Sequence, residues 1–210
     1  MFSIESKFQE AEDKIVTKTH YEIPTWNQVY RMLLYQAEKI CNSGFKPDVI
    51  VGVARGGLVP ARILSDLLEK SNIVTVTVES RETDQENKKE PVLIHALPIP
   101  VAGKRVLIVD DVADTGQSLT MAREHVLLHK AQETKIATLY YKPWSMVKPD
   151  YYEKETERWI IFPWDAKENM RRIVEKHGKN LTKKEIAGLP QQLTTRILKH
   201  MREETQREST

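Results

Sequence analysis

Residues 106–120 read VLIVDDVADTGQSLT, from Val106 to Thr120. Val106 to Val109 is a short apolar run of the length expected for a strand buried on both faces. Asp110 and Asp111 follow at once, and Asp114 comes after two small residues. Thr115-Gly116-Gln117-Ser118 then leads into a helical pattern with Leu119, Met121, Ala122, Val126 and Leu127 on its apolar side. The order predicted is strand, acidic turn, loop, helix. A Thr/Gly/Ser loop at a helix start aims several backbone N–H groups at one spot, at the positive end of the helix dipole, and so makes a phosphate site. Acids just before that loop would repel the same phosphate. They suit what lies beside it: sugar hydroxyls, a metal ion, or a proton to be moved.

A second segment, 51–60, reads VGVARGGLVP. A strand ends, and Ala54-Arg55-Gly56-Gly57 turns into a helix. Paired glycines permit close backbone approach to a ligand, and Arg55 supplies an always-charged fork for phosphate oxygens. This is a second oxyanion site on a second helix start. A third segment joins Tyr141-Lys142-Pro143 to the stretch WIIFPWD at 159–165. Lys142 closes a core strand at its ligand-facing end, and Trp159 offers a flat face to a heterocycle. Between these segments, 79–91 is almost wholly polar and reads as a long flexible loop carrying Arg81, Lys88 and Lys89.

Strands expected at 49–53, 73–78, 92–94, 106–109 and 136–141 alternate with helices at 59–68 and 116–130, which implies a mainly parallel sheet covered on both sides. A further helix starts after Pro24, with Thr25 as N-cap, and places Cys41 on its apolar face beside Leu33, Leu34, Ala37 and Ile40. After residue 165 the character turns helical and basic, with stretches expected at 166–177, 183–187 and 191–202. Their apolar stripes predict a packed bundle, not an arm for nucleic acid.

The whole composition is consistent with this. The 210 residues suit one α/β domain with an appendage, and an apolar fraction of 40% supplies a core. A net charge of +2 gives no argument for nucleic acid. A single cysteine excludes an internal disulfide framework. No apolar run reaches membrane-spanning length, and the N-terminus has no signal-peptide core, so the chain reads as cytoplasmic.

The 106–120 stretch resembles the phosphoribosyl pyrophosphate (PRPP) motif of the type I phosphoribosyltransferases. The resemblance implies their fold: a mainly parallel twisted sheet flanked by helices over residues 1–165, here with a small C-terminal helical bundle over 166–210. It implies that Asp110 and Asp111 hold the ribose hydroxyls. Ala113, Asp114, Thr115, Gly116, Gln117 and Ser118 would hold the 5′-phosphate, with Asp114 near the imidazole side of the base as the catalytic acid/base. Ala54, Arg55, Gly56 and Gly57 would hold pyrophosphate, with a cis bond between Ala54 and Arg55. The 79–91 loop, with Arg81, Lys88 and Lys89, would close over the reacting sugar.

The RGGLVP and WIxxPWD stretches resemble the xanthine-guanine branch, which implies Lys142, Trp159 and Ile160 at the base and Asp165 as an indirect metal ligand beside Asp110 and Asp111. The helical tail resembles crenarchaeal adenine phosphoribosyltransferases. The resemblance thus implies a Mg²⁺-dependent enzyme that joins PRPP to a purine, giving a nucleoside monophosphate and pyrophosphate, and that forms a homodimer. Adenine is the expected base. Hypoxanthine, guanine or xanthine is the alternative, because an ammonium at Lys142 donates to a 6-oxo group and repels an amino group. A PRPP-sensing transcription regulator is the alternative of another class.

Overall fold

The computed structural model describes residues 21–82 and 89–177. They form two compact units: one holds residues 21–26 and 158–177, the other Asn27–Glu157. The division expected at residue 165 is a different one. The helices expected at 183–187 and 191–202, and Lys88, lie outside the described residues.

In order, the elements are β1 (Tyr21–Glu22), α1 (Trp26–Asn42), β2 (Val49–Ala54), α2 (Leu58–Leu67), β3 (Ile73–Glu82), β4 (Lys89–His95), β5 (Arg105–Ala113), α3 (Gln117–Leu128), β6 (Glu133–Tyr141), β7 (Tyr151–Glu155), β8 (Trp159–Ile160) and α4 (Ala166–His177). The larger unit carries a six-stranded sheet in the order β4-β3-β2-β5-β6-β7. Every neighbouring pair is parallel except β3 and β4, which run antiparallel. This is the mainly parallel sheet the alternating pattern predicts.

The central strands are apolar because both of their faces are covered. Val49, Ile50 and Val51 of β2 and Val106, Leu107, Ile108 and Val109 of β5 are wholly buried. Each such side chain contributes roughly 1.5–3 kcal/mol by leaving water. Helix α1 buries Val29, Leu33, Gln36, Ala37 and Ile40. Gln36 satisfies its amide inside the core, donating to the carbonyl oxygens of Thr138 (2.7 Å) and Tyr151 (3.4 Å). Cys41 is exposed, not on the buried face as expected. Ala37 and Ile40 already fill the buried stripe, and the residue after Ile40 turns about 100° away from it.

Two further expectations change. The loop expected at 79–91 is largely a strand pair: Glu79 faces Val92, Arg81 faces Glu90, and Glu82 faces Lys89. A two-stranded ribbon whose residues are mostly exposed needs no apolar alternation, so its sequence reads as loop. Strand β5 also runs on through Asp110 and Asp111 to Ala113, where an acidic turn was expected. Its partner β6 continues alongside, with Asp110 opposite Thr138 and Ala113 opposite Tyr141.

In the smaller unit, β1 and β8 pair in parallel, Tyr21 with Trp159 and Glu22 with Ile160. Ile161, Ala166, Met170 and Ile173 form its core, with Tyr21 and Ile23 packed against them. Helix α4 covers the residues predicted for the first tail helix.

Candidate active site

In the larger unit, β2 leads through α2 to β3 on one side of the sheet, and β5 leads through α3 to β6 on the other. The order reverses between β2 and β5. In open α/β sheets the carboxyl ends of strands at such a reversal form a ligand crevice. Both phosphate-type loops of the sequence arise there, Ala54–Gly57 after β2 and Ala113–Ser118 after β5. Lys142 follows β6 one strand away.

The first loop meets strand β5 at Asp111, just before the second loop begins. A Cβ on Gly56 would lie 2.6 Å from the carboxylate atoms of Asp111, so only glycine permits this approach. The Ala54–Arg55 bond is cis, as the resemblance implies. Arg55 is exposed at the tip. Neither α2 nor α3 carries an acid in its first turn, which keeps both helix starts receptive to anions. Gly116 has φ +85, a left-handed value that favours glycine, and the Thr115 hydroxyl accepts from the Gln117 N–H (3.4 Å).

The two adjacent acids behave differently. Asp111 is buried and Asp110 half-buried. The Asp110 carboxyl is held well above the usual carboxylate range, first by burial and then by the negative charge of Asp111. Backbone hydrogen bonds from Asp111 and Gly57 only partly oppose this. The Asp111 N–H donates to Asp110 Oδ1 at 2.9 Å. Such a pair is relieved by hydroxyl donors or by a cation.

Mg²⁺ fits this donor set. It is held by one or two carboxylates together with substrate phosphates and waters, without a dedicated protein cage. The described residues accordingly offer the Asp110–Asp111 pair and no cluster of three or more His, Cys, Asp or Glu side chains.

Asp114 ends in solvent, and its Oδ1 accepts from the Trp144 indole N–H at 3.0 Å. Trp144 was not singled out in the sequence, where it reads as one more aromatic after Lys142-Pro143. Lys142 is buried, its ammonium 5.4 Å from the centre of the Trp144 ring. Arg81 stands on β3 in an exposed ion pair with Glu79 (3.6 Å), and Lys89 begins β4.

In the smaller unit, Trp159 is 48% exposed and Ile160 is buried. The Trp159 indole N–H donates to Asn169 Oδ1 at 2.7 Å, and the Asn169 amide donates to the Asp165 carbonyl at 3.3 Å. Asn169 thus fixes the ring of Trp159. It escaped the sequence reading because it sits on the next helix, with only the four-residue step from Asp165 as a hint. Phe162 is core, stacked on Trp164 with centroids 4.7 Å apart.

Asp165 Oδ1 is buried and has no hydrogen-bond partner among the described residues. Burial, the largest cause, raises the carboxyl from 3.8 to about 6. Folding therefore favours the protonated form. That contribution is complete below about pH 4 and is lost as pH rises through about 6. In magnesium-free buffer, the denaturation midpoint of Asp165→Asn should gain on that of wild type between pH 4 and 7. A constant difference between the two proteins across that range would refute this.

The phosphoribosyl transferase domain family matches residues 22–171. The chain belongs to that family. This phosphoribosyltransferase is similar to the xanthine-guanine phosphoribosyltransferase of Gluconobacter oxydans, with 34% identity over 149 residues, 70% of this chain and 86% of that protein. A purine phosphoribosyltransferase from Pyrococcus horikoshii shares its structure with a TM-score of 0.64 and 43% identity, covering 70% of this chain and 94% of that one. A hypothetical protein from Neisseria gonorrhoeae, solved with bound ppGpp, follows at 0.62 and 27% identity, covering 76% and 97%. The chain thus falls in the purine branch of the family. No helix among the described residues is long and apolar enough to cross a membrane.

Proposed function

We propose that this phosphoribosyltransferase transfers the 5-phosphoribosyl group of PRPP to N9 of a 6-oxopurine, releasing pyrophosphate and a nucleoside monophosphate. The observation that carries the reading is the Ala54–Gly57 loop packed at Gly56 against the Asp111 carboxylate, which precedes the second anion-receptive loop at the sheet's reversal point. PRPP carries phosphate at both ends of one sugar, and two such loops with acids between them match it. Similarity to xanthine-guanine enzymes supports the choice of base over the adenine expected from the helical tail.

In this reading the loop Ala113–Ser118 binds the 5′-phosphate and Ala54–Gly57 the pyrophosphate. Asp110 and Asp111 accept from the ribose hydroxyls and would hold Mg²⁺; a part for Asp165 in holding it through water rests on the resemblance of the 159–165 stretch. When bound there, Mg²⁺ would supply Lewis-acid neutralisation of the charge on the departing pyrophosphate. As that bond breaks, C1 becomes positive, and N9 of the base closes on it. Asp114 takes the proton from the imidazole side of the base. Lys142 donates to the 6-oxo group. Trp159 as stacking wall and Ile160 as a backbone contact rest on the resemblance of the 159–165 stretch. Closure of the β3–β4 ribbon over the sugar, with Arg81, Lys88 and Lys89, would keep water from the cation-like sugar.

Adenine is the second reading, favoured by one observation: the Lys142 ammonium already lies over the Trp144 ring. A cation so held is not obliged to donate to a 6-oxo group. The test is a panel of adenine, hypoxanthine, guanine, xanthine and orotate, each with PRPP and Mg²⁺. A 6-oxopurine should give the highest kcat/KM, and Lys142→Ala should lower it about 10- to 100-fold, as for loss of a charge-assisted hydrogen bond. Adenine as best substrate, unaffected by Lys142→Ala, would replace the first reading with the second. Turnover of no base, with PRPP still bound, would point to a sensor.

A further inference from the structure

Trp144 lies on the segment that joins β6 to β7, and 55% of its surface is exposed. An exposed indole usually satisfies its one polar atom with water. Here the N–H is directed at Asp114 Oδ1, 3.0 Å away. The ring face meanwhile receives the Lys142 ammonium at 5.4 Å from its centre.

The segment is tied to the β5–α3 loop at several points. The Lys142 N–H donates to the Ala113 carbonyl and the Met146 N–H to the Thr115 carbonyl, each at 3.0 Å. The Ser145 N–H closes a turn on the Lys142 carbonyl at 2.9 Å. Gly116 completes the fit, because a Cβ there would lie 2.8 Å from Ser145 Oγ and 2.9 Å from the Val147 nitrogen. The backbone of Trp144 thus has a fixed place relative to Asp114, and the hydrogen bond between them is built into the fold.

We propose that Trp144 is a positioning residue: its indole N–H fixes one oxygen of the Asp114 carboxylate, and its ring face seats the Lys142 ammonium. One side chain then sets the spacing between the two groups assigned to the base. An indole N–H donates and never accepts, so it does not compete with Asp114 for a proton. It holds Oδ1 and leaves Oδ2 to face the base. The catalytic part of this inference rests on the proposed function, whereas the link between Trp144 and Asp114 does not.

The experiment uses the full chain and two readouts. The first is the ¹⁵N–¹H resonance of the Trp144 indole, assigned by its loss in Trp144→Phe. Asp114→Ala should move that resonance and leave those of the other tryptophans in place. Both side chains are exposed, so neither substitution threatens the fold. An unmoved resonance would overturn the proposal whatever the enzyme's activity.

The second readout is kinetic. Trp144→Phe keeps an aromatic face under Lys142 and loses only the donor. It should lower kcat roughly tenfold, as for loss of a hydrogen bond to a charged group, with the KM for PRPP within about twofold. On the Asp114→Ala background the same change should cost less than about twofold, since a residue acting only through Asp114 has nothing left to position. Equal losses in both backgrounds would overturn the proposal. A wild-type chain that turns over no purine would sink the enzymatic reading, while the resonance would still decide whether Trp144 holds Asp114.

Discussion

Asp114→Asn should lower kcat by about 10²- to 10⁴-fold, the range for a positioned acid/base, and leave PRPP binding within a few-fold of wild type. The substitution keeps the size of the side chain and an oxygen able to accept from Trp144. What it removes is the ability to take a proton. In the proposed function the 5′-phosphate would be held by backbone N–H groups at the start of α3, which the change does not touch. Binding and turnover should therefore separate. Calorimetry with PRPP beside steady-state kinetics checks this. Wild-type turnover in the variant would remove Asp114 from the proton path, and equal losses in binding and kcat would make it a structural residue.

Gly57→Ala should destabilise the fold by about 3 kcal/mol, the upper part of the range for overpacking. A Cβ there would press on the Val109 carbonyl oxygen and lie 2.8 Å from both the nitrogen and the oxygen of Val53. These are backbone atoms of β5 and β2, the two central strands, and no side chain can rotate to make room. The turn must shift, and the Gly57 hydrogen bond to Asp110 shifts with it. Gly56→Ala is the comparison. Its obstacle is the Asp111 carboxylate, the end of a side chain, so the chain should fold near-normally but bind PRPP poorly. Urea denaturation of both variants tests the contrast. A midpoint for Gly57→Ala equal to wild type would show that the strands yield more easily than their packing implies.

The sequence by itself determined the sheet's centre and the location of the two glycine-bearing loops at its carboxyl end. VIVGV and VLIV are apolar because strands covered on both faces must be, and glycine or small polar residues cluster where backbone approaches a ligand. Helix α1 and the first tail helix were legible for a similar reason: their apolar residues recur at helical spacing within one short window.

Tertiary structure alone decided the rest. Asp110 to Ala113 are strand because β6 runs beside them, although nothing in DDVA reads as strand. Glu79–Glu82 and Lys89–Pro91 are paired because each supplies the other's hydrogen bonds. Strands β1 and β8, two residues each, exist only as partners across most of the chain. Trp144 reaches Asp114 across thirty residues of sequence. The physical reason is common to all of them. Every residue but proline carries the same backbone donor and acceptor, so the letters of one segment do not say which distant segment will satisfy them. Side-chain periodicity is written locally, whereas pairing between remote segments, and the contacts that pairing brings, is settled only when the chain closes on itself.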